Sequence, residues 1–345
     1  MAWRTPSSAS VQAVRPLSKG VLLDRSSQTI PEGGFVELSN FFAGTEGIKR
    51  RPGYLLLANG AQIPYRILDF VTVWDENGLQ QSIIITDNTL WRAYTITVEE
   101  IPWITYSTGT ISISGTTITG SGTSWLSADM KVGDLVRVGT EEGVIENIVS
   151  DTQLTIEEAT LTNQSGVAYE VHATFSPRYV DTPDWTTHNN TLIIADGKRP
   201  LIAYSPTTGT IGYWIDDPGK YPSTGEFIAG TVVSFGNRIY AADIQDDVDG
   251  RQRNMIRWSG LADPRDFSIV TNYLYIPVSR ETIQRLIPLG ANLCAYFDNA
   301  VYLGTPTNYP LLPLQFDSIE TGGNGILGKH AVMSYLGGHF WVGQD

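Results

Sequence analysis

Short apolar runs separated by polar turns form the dominant pattern along this chain of 345 residues. In the stretch 289–304, two runs rich in aromatic and β-branched residues flank the polar pair Asp298-Asn299. This arrangement predicts an antiparallel hairpin, with Cys294 in its first strand as a small buried apolar group. A hairpin cannot bury its apolar face alone, so related hairpins elsewhere in the chain predict sheets that pack side by side.

Related units do recur, each with a turn position ahead of an apolar strand. Four equivalent turn positions are Asn190, Asn237, Asn292 and His339, which by subtraction lie 47, 55 and 47 residues apart. A period of about 50 residues with several strands per unit is typical of β-propeller blades, whereas a β-solenoid or a long sandwich would give a shorter period. A hairpin of the same type is predicted for residues 67–86, because Asn-Gly between apolar runs is a strong hairpin signal.

The last unit ends soon after its first predicted strand, at Asp345. An unfinished unit leaves an open sheet edge. A strand from the N-terminal region, a neighbouring chain or further sequence could complete the unit, and all three alternatives stay open.

Three regions of the chain differ in pattern. Residues 107–174 are rich in Thr, Ser and Gly, and their short alternating strands predict an inserted module. The propeller-like domain is predicted on either side of this module, for residues 36–106 and 175–345. An extended arm is predicted for residues 1–35. Only Glu281 to Leu286 has a helix-like pattern. The predicted fold class is therefore all-β, a β-propeller-like platform of repeated antiparallel hairpins with a small inserted β-barrel or sandwich module.

The formal net charge of −13 argues against a protein that binds nucleic acid by neutralising phosphates. The charge is compatible with a surface that lets DNA slide past, although an acidic surface that only maintains solubility is the commoner cause. No apolar run reaches the roughly 20 residues of a membrane span, so no membrane insertion is predicted. The single cysteine allows no disulfide within the chain, which predicts assembly in a reducing cytosol.

Two motifs suggest ligands, and neither is complete. Residues 323–328 match G-x-G-x-x-G, but the residues that follow predict a strand and no helix, which favours a glycine-rich crossover between blades. The loop 243–250 is spaced like half of a calcium loop, but it lacks the distal glutamate. We therefore prefer a charged loop or a subunit contact over a metal site, and we predict no cofactor. The weak metal candidates are Asp243, Asp246, Asp247 and Asp249.

Local catalytic motifs such as H-E-x-x-H, G-x-S-x-G and C-x-x-C do not occur in the sequence. The sequence therefore predicts a protein that is not an enzyme. An enzymatic alternative is a propeller glycosidase whose carboxylates come from different blades, with Asp196, Asp243 and Asp298 as candidates.

Three groups of segments follow one another along most of the chain. They are Asn40-Phe41-Phe42-Ala43 with Arg51-Pro52-Gly53-Tyr54, Arg257-Trp258-Ser259 with 263–267, and a run from Ile283 through Leu289, Val301-Tyr302 and Phe316 to Gly328 and Phe340-Trp341. In their order and residue types these segments loosely resemble the tail nozzle or hub proteins of short-tailed bacteriophages, which are also called packaged-DNA stabilisation proteins. The module at 107–174 is similar to small β modules inserted in other phage tail proteins.

The resemblance implies a structural protein of the virion that is assembled in the host cytoplasm. It implies a homo-oligomeric ring, in this family a hexamer, that contacts the adaptor or portal and the tail fibre proteins. Double-stranded DNA would pass through the ring without specific binding. A tail fibre or spike component that binds a receptor glycan is the alternative. Candidate interface or channel residues are Asp246, Asp247, Asp249, Arg251, Arg253, Asp298 and Asn299.

Overall fold

The structure is a computed structural model that divides into two compact units, residues 1–56 and 57–345. In the first unit, β1 (Phe41–Gly44) and β2 (Gly47–Arg50) form an antiparallel hairpin. For residues 41–50 and Tyr94 only the backbone is described. The described residues are 41–44, 47–50, 63–94, 97–175, 183–277, 281–307, 309, 311–319, 323, 325–335 and 337–343.

The second unit opens with a four-stranded antiparallel sheet, here called sheet 1, and continues into an inserted sheet of seven strands. The strands of sheet 1 are β3 (Ile67–Trp74), β4 (Gln80–Thr86), β5 (Leu90–Tyr94) and β6 (Thr97–Ile101). The strands of the inserted sheet are β7 (Ile104–Tyr106), β8 (Thr110–Ser114), β9 (Thr117–Ser121), β10 (Leu135–Val138), β11 (Glu141–Ser150), β12 (Gln153–Ile156) and β13 (Glu170–His172).

Three further four-stranded meanders and a two-stranded hairpin follow along the chain. Sheet 2 consists of β14 (Asp184–His188), β15 (Thr191–Ala195), β16 (Ile202–Ser205) and β17 (Thr210–Tyr213). Sheet 3 consists of β18 (Phe227–Phe235), β19 (Arg238–Asp246), β20 (Gly250–Trp258) and β21 (Tyr273–Tyr275). Sheet 4 consists of β22 (Arg285–Leu289), β23 (Asn292–Tyr296), β24 (Val301–Pro306) and β25 (Leu314–Ile319), and sheet 5 of β26 (Val332–Tyr335) and β27 (Gly338–Trp341).

Successive sheets pack face to face because their second strands carry apolar side chains on both sides. In β15, Leu192 and Ile194 join the core shared with sheet 1, while Ile193 and Ala195 join the core shared with sheet 3. Neighbouring residues of a strand point to opposite faces, so one apolar strand can serve two cores. The same division gives one core between sheets 3 and 4 and another between sheets 4 and 5.

A polar network joins the first strands of sheets 2, 3 and 4. Asp184, only 1% exposed, accepts hydrogen bonds from the Thr231 hydroxyl and, at 3.4 Å, from the backbone N–H of Val232. The backbone N–H of Leu286 donates to the Thr231 hydroxyl at 3.3 Å, and Arg285 Nε lies 3.6 Å from Asp184 Oδ1. One buried carboxylate and one hydroxyl therefore connect three sheets.

The network also reaches the sheets at either end of the array. Trp185 Nε1 donates to Asp69 Oδ2 of β3 at 2.7 Å, which joins sheets 1 and 2. Arg285 Nη1 donates to the carbonyl oxygens of Lys329 and Val332, at 3.1 and 3.2 Å, which joins sheet 4 to sheet 5. Polar contacts of the first strands thus run through all five sheets.

The inserted sheet curves around its own core without closing. The strand order is β7-β13-β10-β11-β12-β9-β8, and within residues 104–172 the end strands β7 and β8 are not paired with each other. Two register shifts in the long strand β11, after Ile145 and after Ile148, bend the sheet. The enclosed core includes Ile118, Trp125 and Leu154. The predicted alternative of a closed barrel is therefore wrong.

The all-β fold class is confirmed, and one local prediction needs correction. The described residues contain two 3-10 turns, Trp125–Ser127 and Pro218–Lys220, and no α-helix. The helix-like pattern at Glu281 to Leu286 is wrong, because β22 begins at Arg285 and its residues alternate between the cores on either side of sheet 4. His339 lies in β27, the second strand of sheet 5, and the strand predicted directly after residues 323–328 is β26.

The hairpin predicted at 289–304 is confirmed as β23 and β24, with Cys294 paired to Leu303. The hairpin at 67–86 is confirmed as β3 and β4. The domain boundaries stay a prediction, and the arm at 1–35 lies outside the described residues. No helix among the described residues is long and apolar enough to cross a membrane.

Replacing Asp184 by Ala should lower the free energy of unfolding by about 3–5 kcal/mol, because Arg285 loses its carboxylate in a largely buried place. Urea denaturation measures the loss. Asp216→Ala is the matched control, because Asp216 is mostly exposed and its pair with Arg265 spans 3.2 Å at the surface. Its loss should stay below about 1 kcal/mol. Equal losses for the two variants would contradict the central place of Asp184.

The thiol of Cys294 should be unreactive in the folded protein. Burial raises the pKa of Cys294 to about 11, so only about one thiol in a thousand would be ionised at pH 8. Titration with a thiol-specific chromogenic disulfide should give no rapid reaction in buffer and one thiol per chain in concentrated urea. Rapid labelling of the folded protein would show that the core between sheets 4 and 5 opens readily.

Candidate functional site

The predicted acidic loop is a tight hairpin turn between β19 and β20. Asp246 pairs with Gly250 across the turn. Its Oδ1 accepts hydrogen bonds from the backbone N–H groups of Val248 and Asp249, at 3.1 and 2.7 Å. The Asp246 side chain therefore stabilises its own turn, in the manner of an Asx turn.

Asp243 lies in a distorted part of β19. Its φ is +53°, an uncommon value for a residue with a Cβ, and the register with β20 shifts between Ala242 and Ile244. Arg251 binds the Asp243 carboxylate through Nε and Nη2, at 2.9 and 2.7 Å. The bulge thus turns Asp243 towards Arg251, because a bulge re-aims the side chain that it carries.

The other predicted residues occupy exposed or local positions. Asp247, Asp249 and Arg253 are exposed on the same hairpin. Asp298 accepts a hydrogen bond from Gln284 Nε2 at 2.9 Å, and Asn299 donates its backbone N–H towards Glu281 at 3.4 Å. The two sets of candidates therefore occupy the turns between second and third strands of sheets 3 and 4.

The four weak metal candidates do not form a ligand set. The Asp243 carboxylate binds Arg251 and Asp246 caps the turn, while Asp247 and Asp249 point from an exposed turn. In the described part of the chain, no group of three or more His, Cys, Asp or Glu side chains is placed to hold a metal ion.

A pocket of about 260 Å³ lies where sheets 2 and 3 meet the segment that leads into sheet 5. We call it the charged pocket. Its lining combines residues of the turn after β15, the strands β18, β19 and β20, and Lys329. The charged residues of its lining are Asp196, Lys198, Asp243, Arg251 and Lys329.

Asp196 has one oxygen in use and one without a partner. Oδ1 accepts hydrogen bonds from the backbone N–H groups of Lys198 and Arg199, each at 2.9 Å. Oδ2 is buried without a hydrogen-bond partner, and burial raises the pKa of Asp196 above its ordinary value. The two backbone bonds fix the orientation of this side chain, and its second oxygen is closed off from solvent.

The pocket borders the joint between sheet 2 and the inserted sheet. Asp134, fully buried, pairs with Arg199, also fully buried, and lies 3.3 Å from Lys198 Nζ. Arg199 also stacks on Trp103 at 5.4 Å. Because Asp134 holds Lys198 on one side, that ammonium group has a fixed position at the pocket.

Part of this site was predictable from the sequence. Asp196 and Asp243, both named for the glycosidase alternative, line the same pocket, whereas Asp298 does not. Lys198 and Lys329 were not singled out. Nothing in the sequence signals Lys329, because the fold brings it to residues about 80 to 130 positions earlier in the chain.

No known family model matches this chain, and no curated protein matches it either. Three solved structures are weakly similar. A phage phi92 endosialidase shares 14% identity at a TM-score of 0.29, and covers 74% of this chain and 48% of its own. The extracellular domain of the one-component system BT4673 from B. thetaiotaomicron shares 14% identity at a TM-score of 0.24. The match covers 79% of this chain and 38% of that domain. The AfRom2 CNH domain shares 9% identity at a TM-score of 0.28. The match covers 86% of this chain and 87% of that domain.

The chain thus spans about half the length of the endosialidase and less of the second protein. All three TM-scores are below 0.3, and the functions of these proteins do not transfer to this chain on such values.

Gly230 should not tolerate a side chain while Asp243 is present. A Cβ at position 230 would lie 2.9 Å from the Asp243 Cβ and closer still to its carboxylate. Gly230→Ala should therefore destabilise the protein by about 1–3 kcal/mol. In the Asp243→Gly background the same change should cost almost nothing, since glycine also suits the positive φ. Urea unfolding of the four proteins measures the coupling, and additive effects would contradict the predicted clash.

Proposed function

We propose that this protein is a structural subunit of a bacteriophage tail, and within it a nozzle or hub protein that forms a ring around the DNA channel. The ring, a hexamer in the family that the sequence resembles, would extend the channel below the adaptor or portal and contact tail fibre proteins. It would retain packaged DNA and let it pass on ejection. The chain acts in this role as a scaffold, with no catalytic step.

The observation that carries the proposal is the pair of apolar faces at the two ends of the sheet array. Inner sheets bury both faces, whereas sheet 1 exposes Phe70 and Trp74, and sheet 5 exposes Met333 and Phe340. Phe70 is 59% exposed and Phe340 is 61% exposed. Clustered large apolar side chains on a surface mark sites of association.

Two different ends of one molecule favour ring formation. If one end contacts the other end of the next copy, the contact is head-to-tail, and such contacts generate closed rings when the rotation closes. Six copies at −13 each would place a formal charge of 6 × (−13) = −78 on the assembly. Acidic side chains facing a channel would repel phosphates and leave DNA mobile.

Buried ion pairs support a scaffold role. Asp184 with Arg285, and Asp134 with Arg199, use their charges to join sheets within the chain. Charges held in this way fix the orientation of neighbouring elements and leave those groups unavailable for chemistry. The sheets would therefore meet other subunits as a preformed surface.

Cryo-electron microscopy of the purified protein and of the virus particle tests the proposal. We expect ring-shaped particles, and density for this chain on the tail axis below the portal. A protein that stays monomeric at all concentrations and is absent from the tail would overturn the proposal. Density at a fibre tip would instead favour the receptor-binding alternative.

Phe70→Lys and Phe340→Lys should each weaken assembly, because each places a charge on an apolar contact. Sedimentation velocity should show a shift from ring to monomer for both variants. Leu126→Lys is the control, because Leu126 is similarly exposed but lies in the 3-10 turn between β9 and β10, away from sheets 1 and 5. Assembly that survives both Phe substitutions would show that the end faces do not form the subunit contact.

A further inference from the structure

We propose that His172 forms a pH-sensitive contact between the inserted sheet and sheet 1. At neutral pH the uncharged imidazole accepts a hydrogen bond from Arg137, and Arg137 binds Glu100 of sheet 1. When His172 gains a second proton, Arg137 is displaced, and the inserted sheet loosens from sheet 1 while it stays attached to sheet 2. This inference is independent of the tail role, because it concerns one contact within a single chain.

The contact lies on the face of the inserted sheet that is turned away from its own core. Along β10, Val136 and Val138 join that core, so Arg137 between them lies on the opposite face. There Arg137 binds both oxygens of Glu100 in β6, through Nη2 at 2.7 Å and Nη1 at 3.0 Å. Because a bidentate pair of this kind is strong and directional, it fixes the inserted sheet against sheet 1.

The partners of His172 require a neutral imidazole. Its Nδ1 lies 3.1 Å from Arg137 Nη1, and its Nε2 lies 2.9 Å from Glu170 Oε2. A guanidinium group only donates hydrogen bonds, so Nδ1 has no proton and accepts, while Nε2 carries the proton and donates to the carboxylate. Burial lowers the pKa of His172, which is 3% exposed, and the charge of Arg137 acts in the same direction, whereas the bond with Glu170 opposes it.

The carboxylates of this network come from three strands, and each already has a partner. Glu170 of β13 binds the imidazole Nε2, and both oxygens of Glu100 in β6 bind Arg137. Glu142 of β11 lies 2.7 Å from Arg137 Nε through Oε1, and its Oε2 accepts a hydrogen bond from the Tyr65 hydroxyl at 2.7 Å. A new donor in the network therefore has to displace an existing one.

Protonation of His172 introduces such a donor. The three carboxylates attract a positive charge on the imidazole, but the second proton binds Nδ1, directly against Arg137 Nη1. Two positively charged donors cannot share that position. The Arg137 side chain therefore moves away, and its bonds to Glu100 are broken or shared with His172. The contact is thus stable above the ordinary pKa of histidine and weakens as the pH falls below it.

The position of the contact decides which part of the molecule moves. Glu100 lies in β6, just before the chain enters the inserted sheet at β7, and His172 ends β13, where the chain leaves it. His172 pairs with Ile104 of β7, next to a shift in register. On the side of sheet 2, the inserted sheet is held by Asp134 and Arg199, a pair that contains no histidine. Acid therefore acts on one joint, and the other serves as a pivot.

Nuclear magnetic resonance of the full chain with isotope-labelled histidine tests the state of the imidazole. The signals of His172 are those that disappear in His172→Gln. We expect the tautomer with its proton on Nε2 at about pH 7.5, and a titration midpoint below the ordinary value of 6.5. Glu170→Gln should lower the midpoint further, by about one pH unit, because it removes a carboxylate that favours the charged imidazole. A proton on Nδ1, or a midpoint at or above 6.5, would contradict the assigned geometry.

Hydrogen exchange measured by mass spectrometry tests the loosening of the joint. After correction for the intrinsic exchange rate, peptides of β6, β10 and β13 should exchange about 10-fold faster at about pH 5.5 than at about pH 7.5. One proton that binds mainly to the open form changes the opening equilibrium by up to about 10-fold for each pH unit below the ordinary pKa. Peptides of β23 and β24, which lie outside the contact, serve as the reference.

His172→Gln should abolish the acid effect on these three strands. Gln offers an oxygen that accepts from Arg137 and an amide that donates to Glu170, and it does not titrate. His188→Gln is the matched control, because His188 is also buried but its Nδ1 lies 2.9 Å from the Ser234 hydroxyl. This control should keep the acid effect on β6, β10 and β13. Thermal unfolding at about pH 7.5 confirms that both variants are folded.

Two results of the exchange experiment would overturn the proposal. The first is equal exchange of β6, β10 and β13 in the parent chain at the two pH values. The second is the same acid effect in folded His172→Gln, which would assign the effect to another group. Neither result bears on the tail role, which the assembly experiments test separately.

Discussion

The buried carboxylate of Asp184 is the constraint on which the array of sheets depends. A charge placed among sheets is costly unless hydrogen bonds and an opposite charge compensate it. Thr231 and Arg285, each from a different sheet, provide that compensation. The three sheets can therefore adopt only relative positions that keep these groups within reach. Apolar packing restricts the relative positions of the sheets less, because many relative positions would bury similar areas of apolar surface.

The sequence predicted the repeated strands well because their signals are local. Alternation along β23 and the polar pair Asp298-Asn299 together specify a hairpin without reference to the rest of the chain. The spacing of about 50 residues between turn positions then predicted repeated units of several strands each. The segment at Glu281 to Leu286 was wrongly interpreted as helix-like, because Ile283 and Leu286 are three residues apart and both are buried in one core. That spacing is typical of a helix, but it also occurs where an irregular segment leads into a strand.

The site was less predictable, because its groups meet through tertiary structure. Asp196 and Asp243 are both candidate carboxylates in the sequence, yet no local pattern indicates that the two line one pocket. Lys329 reaches that pocket from beyond sheet 4. Pairing of Asp134 with Arg199 was likewise invisible, since the partners belong to the inserted sheet and to sheet 2.

The inserted sheet begins and ends on adjacent strands, since β7 pairs with β13 through Tyr106 opposite Val171. An insertion whose two ends are neighbours can be exchanged as a cassette with little disturbance to the strands on either side. Here the exchange carries one condition. A replacement cassette must bring acidic side chains to the places of Asp134 and Asp129, because both pair with the fully buried Arg199 of sheet 2. Compatibility between host and cassette thus depends on the acidic side chains that the cassette presents to sheet 2.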